Sequence, residues 1–265
     1  MLGFWTLTRL IGKGSLGSVF EAERVSYGKI HKAAIKIITI SKSRDFVKEV
    51  TRDIALISRL KGSDNIVDYQ DHVVVPHKGS VGWDVIIRME LMTPLLDDIA
   101  QRGYTHRDII KLGIDICRAL EYCHEFNIIH RNIKPENIFI SKSGNYKLGD
   151  IGIARAAERT SISLSHKDTC TYMAPEVYRG EVYNSSVDIY SLGLVLYRLL
   201  NDNRSPFLPE YPAKINYGNR EIALNKRIGG APPPAPKNAD GKLADIVLKA
   251  CAYDPQNRYT NPIQM

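Results

Sequence analysis

No Cys-x-x-Cys pair occurs among the four cysteines, Cys117, Cys123, Cys170 and Cys251, so a thiolate zinc site is not expected. Four scattered cysteines in 265 residues point instead to reduced thiols in a cytosolic setting. Long hydrophobic runs are also missing. The longest, 189–200, has 12 residues and contains Ser191 and Arg198; it is too short to span a bilayer and reads as a buried helix. No basic stretch followed by an apolar core opens the chain, so a signal peptide is not expected. Both ends look abrupt, and the expected setting is cytoplasmic, as a separate protein or as the cytoplasmic part of a longer, membrane-tethered one. No internal repeat is visible. A dominant charge of one sign is lacking too: 36 basic against 29 acidic residues leave +7. That mild excess suits a phosphate-bearing ligand or an acidic partner, and a solvated surface equally well. The 44% apolar and 25% charged residues exclude whole-chain disorder and leave room for one large domain or two small ones.

The pattern changes once along the chain. The first 90 or so residues read mainly as strands: 7–11 and 19–22 flank a glycine cluster, 33–40 is a β-rich apolar run, and 73–75 and 83–89 follow. Between them Phe46, Val50, Ile54, Ile57 and Leu60 step by 4, 4, 3 and 3, which predicts one helix. After Thr93-Pro94, helices dominate. Ile109, Leu112, Ile116, Leu120 and Cys123 mark a long amphipathic one, 188–200 a buried one, and Leu243, Ile246, Val247, Ala250 and Cys251 another. The proline run 231–236 reads as an inter-helix connection. The expected division is an N-terminal lobe over 1–92 and a C-terminal lobe over 93–265, with a hinge near 90–94. Clefts between lobes are default ligand sites.

Five stretches carry chemistry. Gly12-Lys13-Gly14-Ser15-Leu16-Gly17-Ser18-Val19 fits G-x-G-x-x-G-x-V, in which glycines let backbone amides approach phosphates. A strand follows it rather than a helix, so it is no dinucleotide fingerprint. No Gly-Lys-Ser/Thr closes it, so it is no Walker A loop. Ala33-Ala34-Ile35-Lys36 lies in an apolar strand, where the lysine either faces water or reaches phosphates in the cleft. His130-Arg131-Asn132-Ile133-Lys134-Pro135-Glu136-Asn137 follows the long helix. Asp150-Ile151-Gly152 begins 18 residues after Asn132, and Ala174-Pro175-Glu176 comes next.

In order and spacing this set, spread over essentially the whole chain, strongly resembles the eukaryotic-like (Hanks-type) Ser/Thr protein kinases, in a bacterial style. The resemblance implies an α+β, bilobal fold, with an antiparallel N-terminal sheet carrying one main helix and a mainly α-helical C-terminal lobe. It implies ATP and Mg²⁺, and protein substrates phosphorylated on Ser or Thr. A kinase-domain dimer for trans-autophosphorylation is a further expected partner, with no nucleic acid and no direct membrane contact in this segment. Gly12, Gly14 and Gly17 would cover the phosphates. Lys36 would pair with the α/β-phosphates and with Asp53 on the first helix, one methylene shorter than the family's Glu, Glu49 being the substitute. Val19, Ala34 and Phe139 would line the adenine pocket, Met89 would be the gatekeeper, and Glu90 to Met92 would hydrogen-bond adenine through their backbone. Lys134 would lie beside the γ-phosphate, and Asn137 and Asp150 would ligate Mg²⁺ through oxygen. Glu176 with Arg258, and Asp188, would be structural.

The main departure from the family is Asn132, which stands where an aspartate would accept the proton of the substrate hydroxyl. An amide can hydrogen-bond that hydroxyl but cannot act as the base, and nucleotide binding should be little affected. A deliberate Asp→Asn exchange in an active kinase and a natural pseudokinase signalling through bound ATP both account for it. The intact Lys36, Lys134, Asn137, Asp150 and glycine loop favour the exchange. Thr160, Ser161, Ser163 and Ser165 are candidate phosphosites, with Arg131 as the phosphate's partner, or else simply belong to a serine-rich loop, while Thr169 is expected to bond the catalytic loop. Cys170 reads as a plain small residue.

Overall fold

The computed structural model describes residues 4–14, 17–41, 44–79, 81–151 and 170–265. Ser15, Leu16, Gly152, Thr160, Ser161, Ser163, Ser165 and Thr169, and the side chain of Phe46, lie outside the described residues.

Five strands build the first sheet: β1 (Thr6–Gly14), β2 (Gly17–Ser26), β3 (Lys29–Ile40), β4 (Tyr69–Pro76) and β5 (Trp83–Met89). All pair antiparallel, in the order β1-β2-β3-β5-β4. One helix, α1 (Arg44–Ile57), follows β3, and a short 3₁₀ turn extends it to Leu60. Val50, Ile54, Ile57 and Leu60 are buried, as the spacing predicts, and Val47, which the spacing did not mark, is buried with them.

A second, three-stranded sheet joins β6 (Thr93–Pro94), β7 (Ile138–Ile140) and β8 (Tyr146–Leu148). The helices of this half of the chain are α2 (Leu95–Arg102), α3 (His106–Glu125), α4 (Pro175–Tyr178), α5 (Ser186–Leu199), α6 (Tyr217–Ile228) and α7 (Gly241–Ala250), with α2 and α3 packed against the small sheet. The sequence reading missed α2, the four-residue α4, α6 and the small sheet. Helices α2 and α6 have few buried apolar positions, Leu95 in one and Ala223 in the other, so their hydrophobic periodicity is faint. Helix α3 starts at a capping box: Thr105 accepts from the Asp108 amide, and the Asp108 carboxylate accepts from the Thr105 amide. Helix α5 is buried almost throughout, from Ser186 to Tyr197, which explains a sequence that is apolar on nearly all sides. Residues 231–236 connect α6 to α7, as expected.

The four cysteines are free. Burial pushes the thiols of Cys117, Cys123 and Cys251 up to about 12, so they behave as apolar core groups. Among the described residues no helix is long and apolar enough to cross a membrane.

Candidate active site

Sheet register assembles one half of the site. In an antiparallel pair, directly opposed residues share a face, and residues two apart on a strand share it too. Val19 opposes Lys36, and Ala34 opposes Met89. Val19, Ala34, Lys36 and Met89 therefore lie on one face of the sheet, although the sequence separates them by up to 70 positions. The β1–β2 hairpin above them needs its glycine at position 17. Its φ is +131°, and a Cβ there would sit 2.1 Å from the Ile37 carbonyl oxygen. Gly12 opposes Val19, and Gly14 opposes Gly17.

Lys36 is buried, and it donates to Asp150 at 2.7 Å. The sequence pattern directed this lysine to α1; the structure gives it Asp150. Asp53 is itself buried on α1, facing the core side of that helix, and Glu49 lies one turn earlier. Burial pushes the Asp150 carboxyl up, but Lys36 beside it, with His130 and Lys134 nearby, outweighs this and holds it below the usual carboxylate range. Asp150 also sits at φ +58°, and Arg131 at φ +66°. Non-glycine residues in the left-handed region cost about 1–3 kcal/mol each and persist only where surrounding contacts over-determine them.

Those contacts form the other half of the site. Asp188, fully buried at the start of α5, accepts the amides of His130 and Arg131, each at 2.8 Å. His124 on α3 lies 3.3 Å from the same carboxylate. The His130 ring is buried between two partners: its Nδ1 accepts the Asn132 amide at 3.2 Å, so Nε2 carries the hydrogen and donates to the Gly149 carbonyl at 2.9 Å. Burial pushes His130 down from its ordinary value, which keeps this neutral tautomer. Asn137 closes the loop. Its Nδ2 donates to the Asn132 carbonyl at 2.7 Å, and its own carbonyl accepts the Gly149 amide at 2.8 Å. Asn132 is thus pinned at both its amide and its carbonyl. Ile151, where the family has an aromatic residue, is buried. Lys134, immediately before a 3₁₀ turn at Pro135–Asn137, is partly exposed.

The segment joining the sheets is also pinned. The Glu90 amide donates to the Asp68 carbonyl at 3.1 Å, while its Oε1 accepts from the Asp68 amide at 2.6 Å and from Lys147 on β8 at 2.7 Å. The Glu90 amide is therefore already used, which leaves the Glu90 carbonyl and the Leu91 and Met92 backbone to meet a base. Phe139 on β7 opposes Pro94 and packs on Gly149, where a Cβ would come within 2.7 Å of its ring. Sequence reasoning did not find Lys147 or Asp68; neither belongs to a motif, and it is the position of Lys147 on β8 and the pairing of Tyr69 with Met89 that bring them to Glu90.

Farther along, Arg258 forms a buried, two-pronged ion pair with Glu176, the pairing expected from the sequence. The Arg131 guanidinium lies over the Tyr183 ring, 5.6 Å from its centre. A hard cation would find an anionic carboxylate at Asp150 and an amide at Asn137 whose nitrogen is already engaged, so the oxygen is the atom left to ligate. That donor set fits Mg²⁺. Among the described residues, no cluster of three or more His, Cys, Asp or Glu side chains offers a rival metal site.

These features define a class, and comparison with known proteins agrees. The protein kinase domain family model matches residues 5–265, and the chain belongs to that family, in its bacterial Hanks-type branch. Among its relatives are the serine/threonine-protein kinase PknB of Mycolicibacterium smegmatis, 30% identical over 278 residues (98% of this chain, 41% of the relative), and the serine/threonine-protein kinase PrkC of Bacillus subtilis, 32% identical over 264 residues (97% and 38%). A probable serine/threonine-protein kinase PknB of Bifidobacterium longum is 32% identical over 278 residues. The chain spans about two fifths of the length of these curated relatives, 41% and 38%.

Proposed function

We propose that the chain is an ATP- and Mg²⁺-dependent Ser/Thr protein kinase domain whose phosphoryl transfer is strongly impaired by Asn132. The observation that carries the reading is the intact cradle around an altered centre. The Lys36–Asp150 pair and the His130, Asn137 and Asp188 bonds remain, while the group at 132 lacks the negative charge of the family's aspartate.

In this reading the lobes divide between 92 and 93, and ATP lies between them. Adenine packs against Val19, Ala34, Met89 and Phe139 and bonds the Glu90 carbonyl and the Met92 backbone. The glycines at 12, 14 and 17 cover the phosphates. Lys36 neutralises the α- and β-phosphates and is held in place by Asp53, or by Glu49, once Asp150 turns to the metal. Lys134 neutralises the γ-phosphoryl group as it moves. Mg²⁺, held by Asn137 and Asp150, would offset the phosphate charge. Asn132 orients the substrate hydroxyl through its amide but cannot take the proton, which leaves to a phosphoryl oxygen or to water. Loss of a general base costs about 10²–10⁴ in rate, while nucleotide binding persists. A protein Ser or Thr is the acceptor. A second copy of the domain would supply it in trans-autophosphorylation, with a phosphate among Thr160 to Ser165 drawn to Arg131. The setting is cytoplasmic.

The test is intact-mass spectrometry after incubation with Mg-ATP, on this chain and on Asn132→Asp, with nucleotide binding measured in parallel. Phosphoryl additions on Asn132→Asp alone are the expected result. The absence of a charged group at 132 favours a second reading, a nucleotide-binding pseudokinase. Nucleotide binding without additions on either chain, or on an added protein substrate, would select it.

A further inference from the structure

Arg227, on α6, is buried to 8% exposure, yet among the described residues it makes no ion pair with a carboxylate. Its guanidinium is spent on backbone instead. Nη1 donates to the Met173 carbonyl at 2.6 Å and Nη2 to the Cys170 carbonyl at 2.6 Å, while Nη1 also meets the Tyr190 hydroxyl at 3.0 Å. The two carbonyls flank a single turn, in which the Met173 amide points back to the Cys170 carbonyl. That turn runs directly into Ala174-Pro175-Glu176. Arg227 and Arg258 lie over the Tyr190 ring, 5.7 and 4.6 Å from its centre, so α6, α5 and the Glu176 ion pair share one cationic stack. Ser191 adds a bond to the Tyr172 carbonyl at 2.8 Å, and Arg198 one to its hydroxyl.

A buried cation that, among the described residues, meets only carbonyl and phenol oxygens is costly unless those oxygens stay in place. A planar guanidinium is also the group that can hold two separate acceptors at once; an ammonium acts as a point charge. Arg227 therefore over-determines the position of residues 170–173.

We propose that Arg227 is a positioning residue for the protein substrate: it clamps the turn at 170–173, and so the platform leading to Ala174-Pro175-Glu176, onto α5 and α6 without touching the nucleotide. This inference rests on the kinase reading given above, in which the Ala174-Pro175-Glu176 segment, by its resemblance to the family, builds the platform for the protein substrate. It assigns to α6 a role in acceptor binding that no sequence motif marks.

The experiment has two arms and two variants, Arg227→Met and Arg227→Lys, with thermal melts to check folding. In the first arm, hydrogen–deuterium exchange is followed by mass spectrometry on the unmodified chain and both variants. Faster exchange confined to the peptide covering 170–176 is expected, stronger for Met than for Lys. Unchanged exchange there overturns the clamp. In the second arm each variant is combined with Asn132→Asp, and transfer to a Ser/Thr peptide pool is measured. The expected result is a rise of about tenfold in peptide KM for Arg227→Met, with ATP KM within about twofold and a smaller rise for Arg227→Lys. An equal change in both KM values, or in neither, overturns the substrate role. If Asn132→Asp alone transfers no phosphate, the kinase reading fails and takes the substrate role with it, while the exchange arm still decides the clamp. If Arg227→Met does not fold, Arg227→Lys carries both arms.

Discussion

The two halves of the site are held by different means. On the sheet side, Val19, Ala34, Lys36 and Met89 arrive on one face because strand register alternates side chains; no hydrogen bond from another residue aims the three apolar ones. On the loop side, 130–137 has no regular structure before its final 3₁₀ turn, and its geometry is dictated by buried polar groups: Asp188 on two amides, His130 on a carbonyl, Asn137 on a carbonyl. Register tolerates exchange of side chains that keep the alternation. Buried hydrogen-bond anchors do not, because a lost partner strands a desolvated group. The difference suggests why an Asn at 132 is compatible with an intact loop: the loop's shape depends on the backbone of residue 132, not on its side chain.

The sharpest way to break this contrast is Asp188→Ala. It removes the acceptor of two buried amides at once and should cost about 3–5 kcal/mol of stability, read as a lowered midpoint in urea unfolding. A loss below 1 kcal/mol, in the range of an exposed polar group, would mean that the loop is not held this way.

A smaller effect is expected from pH. His130 is depressed from 6.5 and Asp150 from 3.8, both in the folded state. In each case the unfolded chain takes up a proton first as pH falls. Stability from His130 is thus present above about 6.5 and lost on acidification below it, and that from Asp150 is lost below about 3.8. One such group gives a slope of at most about 1.4 kcal/mol per pH unit. Urea unfolding between pH 7.5 and 5 should show the first loss, and His130→Gln should flatten it; an unchanged slope in His130→Gln would assign the loss elsewhere.

Smallest of all is Lys147→Met. The Lys147–Glu90 pair is partly exposed, so its removal should cost less than about 1 kcal/mol of stability and weaken nucleotide affinity only a few-fold, measured by titration calorimetry. A loss of a hundredfold would mean that the segment at 90–92 depends on an ion pair rather than on its backbone bonds.

Much of this was legible before any coordinates. The 4, 4, 3, 3 spacing placed α1, and the near-continuous apolar run placed α5, because both elements bury the faces that their sequences advertise. The Glu176–Arg258 pair and the Asp188 anchor were legible through the family resemblance, since their motifs are local and ordered. The ion partner of Lys36 was not, because it depends on how Asp150, 114 residues away, is turned at a left-handed φ. Nor was Arg227. One arginine among the charged residues of a weakly patterned helix gives no sign that it points inward; only the packing of α6 against Tyr190 turns it toward two carbonyls.

The parallel bridge between Ile66 and Leu148 has a mechanical consequence. The Val67 amide bonds the Leu148 carbonyl at 3.0 Å, and the Leu148 amide bonds the Asn65 carbonyl at 2.8 Å, so the stretch just before β4 is stitched to the small sheet. Together with the covalent crossing at 90–92, this fastens the five-stranded sheet to the rest of the molecule at two neighbouring places. A body fastened along one line keeps a single easy freedom, rotation about that line, like a door on two pins, while sliding and twisting are resisted. The Lys36–Asp150 contact is a third tie across the same gap, made by charge rather than by backbone, and a cation held at Asp150 would compete for that tie while leaving the two pins as they are.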